Sequence, residues 1–302
     1  MDRPIAIVGA PSSIGIRPYD EGGMRRLDLA PGVLRDRGIE TRLGARDLGD
    51  VVPPPYRDFV RPPGRPRNEN DVANYSRELA AKVRAGAHDG SFVLVLGGDC
   101  SIVLGGLLGA RRPGGLPVGL VYVDAHGDFA TPEESATGSA ASMCLALATG
   151  RGDTPLARLG GETPLARPED VVIIGRRDDA EPYYGQDALR ASAILDLPHD
   201  AVRERGTAEI AQATLERLTR SDLAGFWIHV DADVLDPSVM PAVDSPEPNG
   251  LSLDELAELL TPLARHPKAV GLEVTIYDPA LDPDRSSAAR LVTLLERVLG
   301  QA

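Results

Sequence analysis

The chain has 302 residues, 42% hydrophobic and 25% charged, the profile of a globular protein long enough to bury a core without a disulfide or metal staple. Its 32 basic residues against 45 acidic ones give a net charge of −13. That balance argues against a nucleic-acid or anionic-membrane surface, either of which needs a basic patch.

In chain order, the first apolar run, Ile5–Val8, reads as a strand and is too short and poorly flanked for a signal peptide. Pro53–Pro66 reads as a proline-rich loop, and Asn70–Ala87 as a helix with acidic residues early and basic ones late, which suits the helix dipole. Phe92–Leu96, Val118–Val123 and Val171–Ile174 are Val, Ile and Leu runs of the kind buried on both faces of a parallel sheet. Arg151–Pro168 is a polar loop. Val202–Leu218 is predicted as one helix, Phe226–Val230 and Ala269–Val274 as strands, and Ser252–Arg265 and Ser286–Leu299 as helices. Ser252 with Glu255 forms a capping box ahead of Leu256, Leu259 and Leu260. The alternation predicts a single α/β domain over residues 1–302, built as a three-layer α/β/α sandwich with right-handed crossovers. No apolar run approaches the roughly 18 residues of a membrane span. Two cysteines, Cys100 and Cys144, cannot make a disulfide framework, so a reducing, cytoplasmic setting is expected.

Ligands of open parallel sheets bind beyond the carboxyl ends of the strands. Four predicted strands run there into polar motifs: Gly97-Gly98-Asp99-Cys100-Ser101, Asp124-Ala125-His126-Gly127-Asp128, Asp231-Ala232-Asp233 continuing to Asp236-Pro237, and Thr275 to Pro279. Asp124, His126 and Asp128 are spaced by two, as are Asp231 and Asp233. Alternate residues of extended backbone point the same way, so each group can converge on one point. Carboxylates gathered so closely repel and need a cation, and carboxylate with imidazole suits Mn²⁺, Fe²⁺, Co²⁺, Ni²⁺ or Zn²⁺. Each motif taken alone also reads as an ordinary strand-end cap.

These stretches resemble the ureohydrolases, the family of arginase, agmatinase and formiminoglutamase. Gly9-Ala10-Pro11, Ala30-Pro31-Gly32 and Gly271-Leu272-Glu273 extend the resemblance over nearly the whole chain. It implies a mainly parallel eight-stranded sheet, two Mn²⁺ ions bridged by hydroxide, and hydrolysis of a C–N bond in a small-molecule guanidinium or amidine. It also implies a homo-oligomer, a trimer or hexamer. Carried over, Asp124 and Asp231 bridge the metals, His126 and Asp233 complete one site, and Asp128 binds the other and shuttles a proton. Cys100 stands where the family has a metal-binding His. Catalytic roles fall to Asp128 and His126, and Asp236 shapes its loop.

Three departures bear on function. A Cys100 thiolate is a poor ligand for Mn²⁺, so Cys100 is either a ligand for another metal or a small buried residue. As a nucleophile it has no neighbouring His in sequence to activate it. Ala141 stands where arginases carry a catalytic His, and an imidazole is missing unless His229, otherwise a buried hydrogen-bonded residue, moves in. Ile276 stands where a Glu grips the substrate guanidinium, and Asp278 on the neighbouring turn is the alternative carboxylate. Glu273 matches a family Asp in a supporting role. Ala130 replaces an Asn of substrate-tail recognition, while Thr137, Ser139 and Asp178 keep substrate-binding positions and the next acidic position shifts to Asp179 or Glu181. Cys100, Ala141 and the Asp128–Glu133 run resemble a branch acting on Nω-hydroxyarginine, a branch that keeps the guanidinium Glu. The expected activity is a metal-dependent amidinohydrolase on something other than plain arginine. The competing reading is a non-catalytic relative that binds a metabolite or serves as a structural subunit.

Overall fold

The structure, a computed structural model, describes residues 3–161, 163–180 and 185–300. Its strands are β1 (Ile5–Gly9), β2 (Arg46–Asp50), β3 (Phe92–Leu96), β4 (Val118–Val123), β5 (Val171–Ile174), β6 (Leu195–Leu197), β7 (Gly225–Asp231) and β8 (Ala269–Thr275). They form one sheet in the order β2-β1-β3-β8-β7-β4-β5-β6, and every pair is parallel. The expected sheet was mainly parallel; it is wholly so.

The six apolar runs are strands because Val, Ile and Leu fit a pleated surface covered on both faces. All residues of β3, β4, β5 and β7 are buried. The two strands that sequence patterning did not reveal are the sheet edges. Edges carry polar residues that discourage further pairing, and here an arginine fixes each. Arg35 binds Asp47 through Nε (2.6 Å) and Asp50 through Nη1 (2.6 Å) of β2. Arg176 binds Asp196 of β6 through Nε (2.9 Å) and Nη2 (2.6 Å).

The helices are α1 (Ala30–Asp36), α2 (Ile39–Leu43), α3 (Glu69–Gly86), α4 (Val103–Ala110), α5 (Cys144–Ala148), α6 (Gln186–Arg190), α7 (His199–Arg205), α8 (Thr207–Leu218), α9 (Leu253–Arg265) and α10 (Ser286–Leu299). Helices α3, α4 and α5 pack together, α1, α2, α8, α9 and α10 form a second group, and helices cover both sides of the sheet. The single helix expected over Val202–Leu218 is two, because Gly206 stands at φ +81° and turns the chain between α7 and α8. The capping box of α9 forms as read: Glu255 N donates to Ser252 Oγ (3.2 Å) and Ser252 N to Glu255 Oε2 (2.8 Å). Among the described residues no helix is long and apolar enough to cross a membrane.

One continuous core runs through the described residues, with Trp227 among its largest buried side chains. Trp227 lies in a slot between α4 and β8 that glycines keep open. A Cβ on Gly271 would come within 2.4 Å of both the indole and the Val93 carbonyl oxygen, and one on Gly106 within 2.7 Å of the indole. Gly271→Ala is therefore expected to lower the unfolding free energy by about 2–3 kcal/mol through overpacking. Urea unfolding followed by the fluorescence of Trp227, the one tryptophan, measures it. A loss below about 0.5 kcal/mol would mean that β8 shifts to absorb the methyl group.

Candidate metal centre

The sheet order sets four motif-bearing strands, β3, β8, β7 and β4, side by side. Their registers are level: Leu96 pairs with Val274, Val274 with Val230, and Val230 with Val123. The residues that follow therefore leave the sheet at one height. Gly98 (φ +136°) lets the β3 end turn tightly, since a Cβ there would strike the Ala10 carbonyl oxygen at 2.5 Å. Asp99 fastens this turn by accepting from Gly15 N (3.0 Å), Ser101 N (3.0 Å) and Ser12 Oγ (3.3 Å).

Asp124 and Asp231 cap their strand ends, and each uses one oxygen to do so. Asp124 Oδ1 accepts from His126 N (2.7 Å), and Asp231 Oδ1 accepts from Asp233 N (2.8 Å). The side chains thus converge through turns, a 3-10 turn over Ala232–Val234 in the second case, and not through the extended backbone expected. Capping and convergence are one arrangement, because each cap leaves the second oxygen for the site. Asp124 Oδ2 is buried without a hydrogen-bond partner among the described residues, and Asp231 Oδ2 accepts from Cys100 Sγ at 2.8 Å.

Two clusters of donors result, each with ligating atoms mutually within 4.8 Å: Asp124, His126 and Asp233; and Cys100, Asp124, His229 and Asp231. Asp124 belongs to both. In the first, His126 Nδ1 lies 2.9 Å from Asp233 Oδ2 and 3.5 Å from Asp124 Oδ1. Asp128 stands outside both clusters; its Oδ2 accepts from Tyr122 OH at 2.6 Å, and its backbone is at φ +44°. His229 is wholly buried in β7, as sequence reasoning allowed, but it also reaches the site. The signal for that was its place two residues before Asp231, on the same face of the strand.

Burial makes this group of acids electrostatically expensive. Desolvation, then the charge of Asp233, raises Asp124 to about 6. Desolvation and neighbouring carboxylates push Asp128 and Asp231 well above the ordinary range, and desolvation with Asp231 raises the Cys100 thiol. His126 is raised: burial opposes its charge, but Asp233 and Asp124 outweigh burial. Asp233 is lowered, since the His126 charge outweighs its own burial. Buried carboxylates of this density fit a bound cation, which replaces the missing positive charge.

The cluster residues other than His229 line a cavity of about 300 Å³, together with Thr137, Ser139, Ala141 and Ile276. Thr137 and Ser139 spend their hydroxyls on backbone, accepting from Ser139 N and Arg17 N (both 3.2 Å). Ile276 holds φ +63°, where β-branched residues are outliers, with its N–H tied to Gly98 O (2.9 Å). Asp178 does not border the cavity. It is buried, accepts from Gly127 N (2.8 Å) and pairs with Arg176, so it braces the Asp124–Asp128 turn. Asp179 pairs with Arg176 and Arg190, and Glu181 lies outside the described residues. Asp278 does not substitute for the carboxylate that Ile276 lacks; it accepts from Arg26 N (3.0 Å) and Ala280 N (2.8 Å), away from the cavity. Asp236 shapes its loop by accepting from Ser238 N (3.0 Å) and Gly250 N (3.1 Å). No motif pointed to Arg17 or to the ion-paired Arg25 and Asp244, all of which border the cavity.

These shifts set a pH dependence for metal-free protein. An acid whose folded pKa exceeds its unfolded value binds protons more tightly when folded, so its stability contribution is lost as pH rises through the folded value. For Asp124 that window runs from 3.8 to about 6, and the raised His126 acts in the same direction. Chelated protein is therefore expected to melt at least about 2 °C higher at pH 5 than at pH 7. Added divalent metal raises the melting temperature at pH 7. Calorimetry with and without chelator tests both; a melting temperature that rises from pH 5 to pH 7 without metal would contradict the account.

A model of the Arginase family matches residues 3–300. The chain is 31% identical to the arginase of Bacillus subtilis (strain 168) over 308 residues, covering 100% of this chain and 99% of the relative. The solved native arginase of Bacillus caldovelox superposes with a TM-score of 0.87 at 32% identity, covering 99% of each chain. The proclavaminate amidino hydrolase of Streptomyces clavuligerus shares the fold, with a TM-score of 0.71 at 20% identity over 98% of this chain and 91% of that one. With a family model matched over nearly its whole length and relatives about one third identical along the full chain, the chain belongs to the arginase family.

Proposed function

We propose that this protein is a metal-dependent hydrolase that cleaves a C–N bond in a small guanidino or amidine-type substrate other than plain arginine. One observation carries this: two buried donor clusters share Asp124, which lines an open cavity. Asp124, His126 and Asp233 offer oxygen and imidazole donors that suit Mn²⁺. A divalent cation bound there supplies Lewis-acid polarisation and an acidified water.

The chain's own groups provide the rest. Tyr122 OH holds Asp128 Oδ2, leaving Oδ1 to exchange a proton. Burial and the neighbouring Asp124 raise the pKa of Asp128, which favours its taking up a proton and returning it to the leaving amine. His126, fixed by Asp233, stands beside it as a ligand. Thr137 and Ser139 present the polar wall for the substrate's remote end. The apolar Ile276 wall favours a reacting group less dependent on a carboxylate partner than the arginine guanidinium. The same reading makes the protein a cytoplasmic homo-oligomer, a trimer or hexamer as the family resemblance implies.

Ile276 and Ala141 favour the competing reading of a metabolite-binding relative without catalysis. A panel of guanidino and amidine compounds, assayed with Mn²⁺-loaded protein, separates the two. Turnover of at least one compound is expected, with arginine a poor substrate and Asp124→Asn at least about 10³-fold slower. Binding without turnover across the panel would sink the hydrolase reading. Ile276→Glu is expected to raise kcat/KM for arginine at least about tenfold, the effect of one charge-assisted contact. No gain would show that Ile276 does not set selectivity.

A further inference from the structure

We infer that the second cluster is a zinc-selective site in which His229 Nε2 is a metal ligand alongside Cys100 Sγ, Asp124 and Asp231. This rests on the metal-centre reading and specifies which residues and which ion complete it.

His229 lies two residues before Asp231 in β7, so both side chains leave the same face of the strand. Its partner across the sheet is Glu273 of β8, and His229 Nδ1 lies 2.8 Å from Glu273 Oε1. The ring stacks on Tyr122 with centroids 4.3 Å apart and planes 14° apart. A carboxylate on Nδ1 holds the proton there, aims the ring and leaves the Nε2 lone pair for a metal. Nε2 is fully buried and, among the described residues, has no hydrogen-bond partner. The nearest carboxylate oxygen, Asp124 Oδ2, is 3.9 Å away and is likewise unpartnered. That separation is too long for a hydrogen bond and close to the edge of a tetrahedron of ligands, about 3.3–3.8 Å for bonds of 2.0–2.3 Å. Cys100 Sγ and Asp231 Oδ2, now joined by a hydrogen bond of 2.8 Å, would form the opposite edge once the thiol proton is displaced and the two atoms part by about 0.5–1 Å.

Asp128, the residue expected to complete this site, is held elsewhere. Tyr122 OH engages its Oδ2 at 2.6 Å and Cys144 Sγ lies 3.6 Å from the same oxygen. The Tyr122 that engages Asp128 through its hydroxyl also supports His229 with its ring. One thiolate, one imidazole and two carboxylates then face one point. This softer set favours Zn²⁺ over Mn²⁺, while Asp124, His126 and Asp233 remain a harder site. The buried Glu273 acquires a function as the positioning residue for His229.

The test is metal content per chain by elemental analysis after Mn²⁺-loaded protein is given one equivalent of Zn²⁺, with zinc affinity measured by competition against a chromophoric chelator. About one zinc per chain is expected in the wild type. His229→Gln should weaken zinc at least about 100-fold, and Glu273→Gln about 10–100-fold. Manganese should be retained in both variants. Co²⁺-loaded wild type should show a thiolate-to-cobalt charge-transfer band that Cys100→Ser removes. Glu273→Gln keeps the test open if His229→Gln fails to fold, which circular dichroism would reveal. Zinc affinity unchanged in folded His229→Gln or Glu273→Gln, with manganese still bound, would overturn this inference alone. Binding of neither metal by the wild type would overturn it together with the hydrolase reading.

Discussion

The structure is organised around the cost of crowding buried carboxylates at one point. Asp124, Asp128, Asp231 and Asp233 sit with His126 and Cys100 at the ends of adjacent central strands, all nearly sealed from water. In a low-dielectric interior their repulsion is barely screened. Partial neutralisation is visible in the ion pair of His126 with Asp233, but Asp124 and Asp231 are left raised. An apolar core alone would select against such a cluster, and its donor set fits a divalent cation that would offset the repulsion.

The backbone makes that cluster buildable. Asp124 and Asp231 each satisfy strand-end N–H groups with one oxygen and present the other to the site, so no polar backbone group is sacrificed. Asp99 and Asp178 do the same work for the flanking turns without entering the cavity. The site is therefore as rigid as the sheet that carries it. Four short turns, each capped by an aspartate or anchored on its neighbour, replace the long loops that could drift.

Against this floor, single residues set the character of the walls. Ile276 holds a strained backbone conformation and puts an apolar side chain at the cavity, and Ala141 puts a methyl group there. Strain persists where surrounding structure enforces it, and here the Ile276 N–H bond to Gly98 ties the β8 end to the β3 turn.

How much of this was legible in the sequence depends on the range of each signal. The six interior strands, the capping box of α9 and the Asp124–Asp128 and Asp231–Asp233 motifs were readable because apolar runs, caps and short spacings are local properties. The edge strands β2 and β6 were not, because their pairing depends on Arg35 and Arg176 reaching in from other segments. Gly206 split a helix whose apolar pattern continued across it, and Asp178 and Asp278 proved to be spent on backbone. Whether His229 was only a core residue could not be settled from its neighbours in sequence. That needed the β7–β8 register, which pairs it with Glu273, and the sheet order, which sets Tyr122 and Asp124 beside it. The sequence by itself determined which residues could bind a metal. Tertiary structure decided which of them converge, because convergence is set by strand order and register, and those are fixed by burial across the whole sheet.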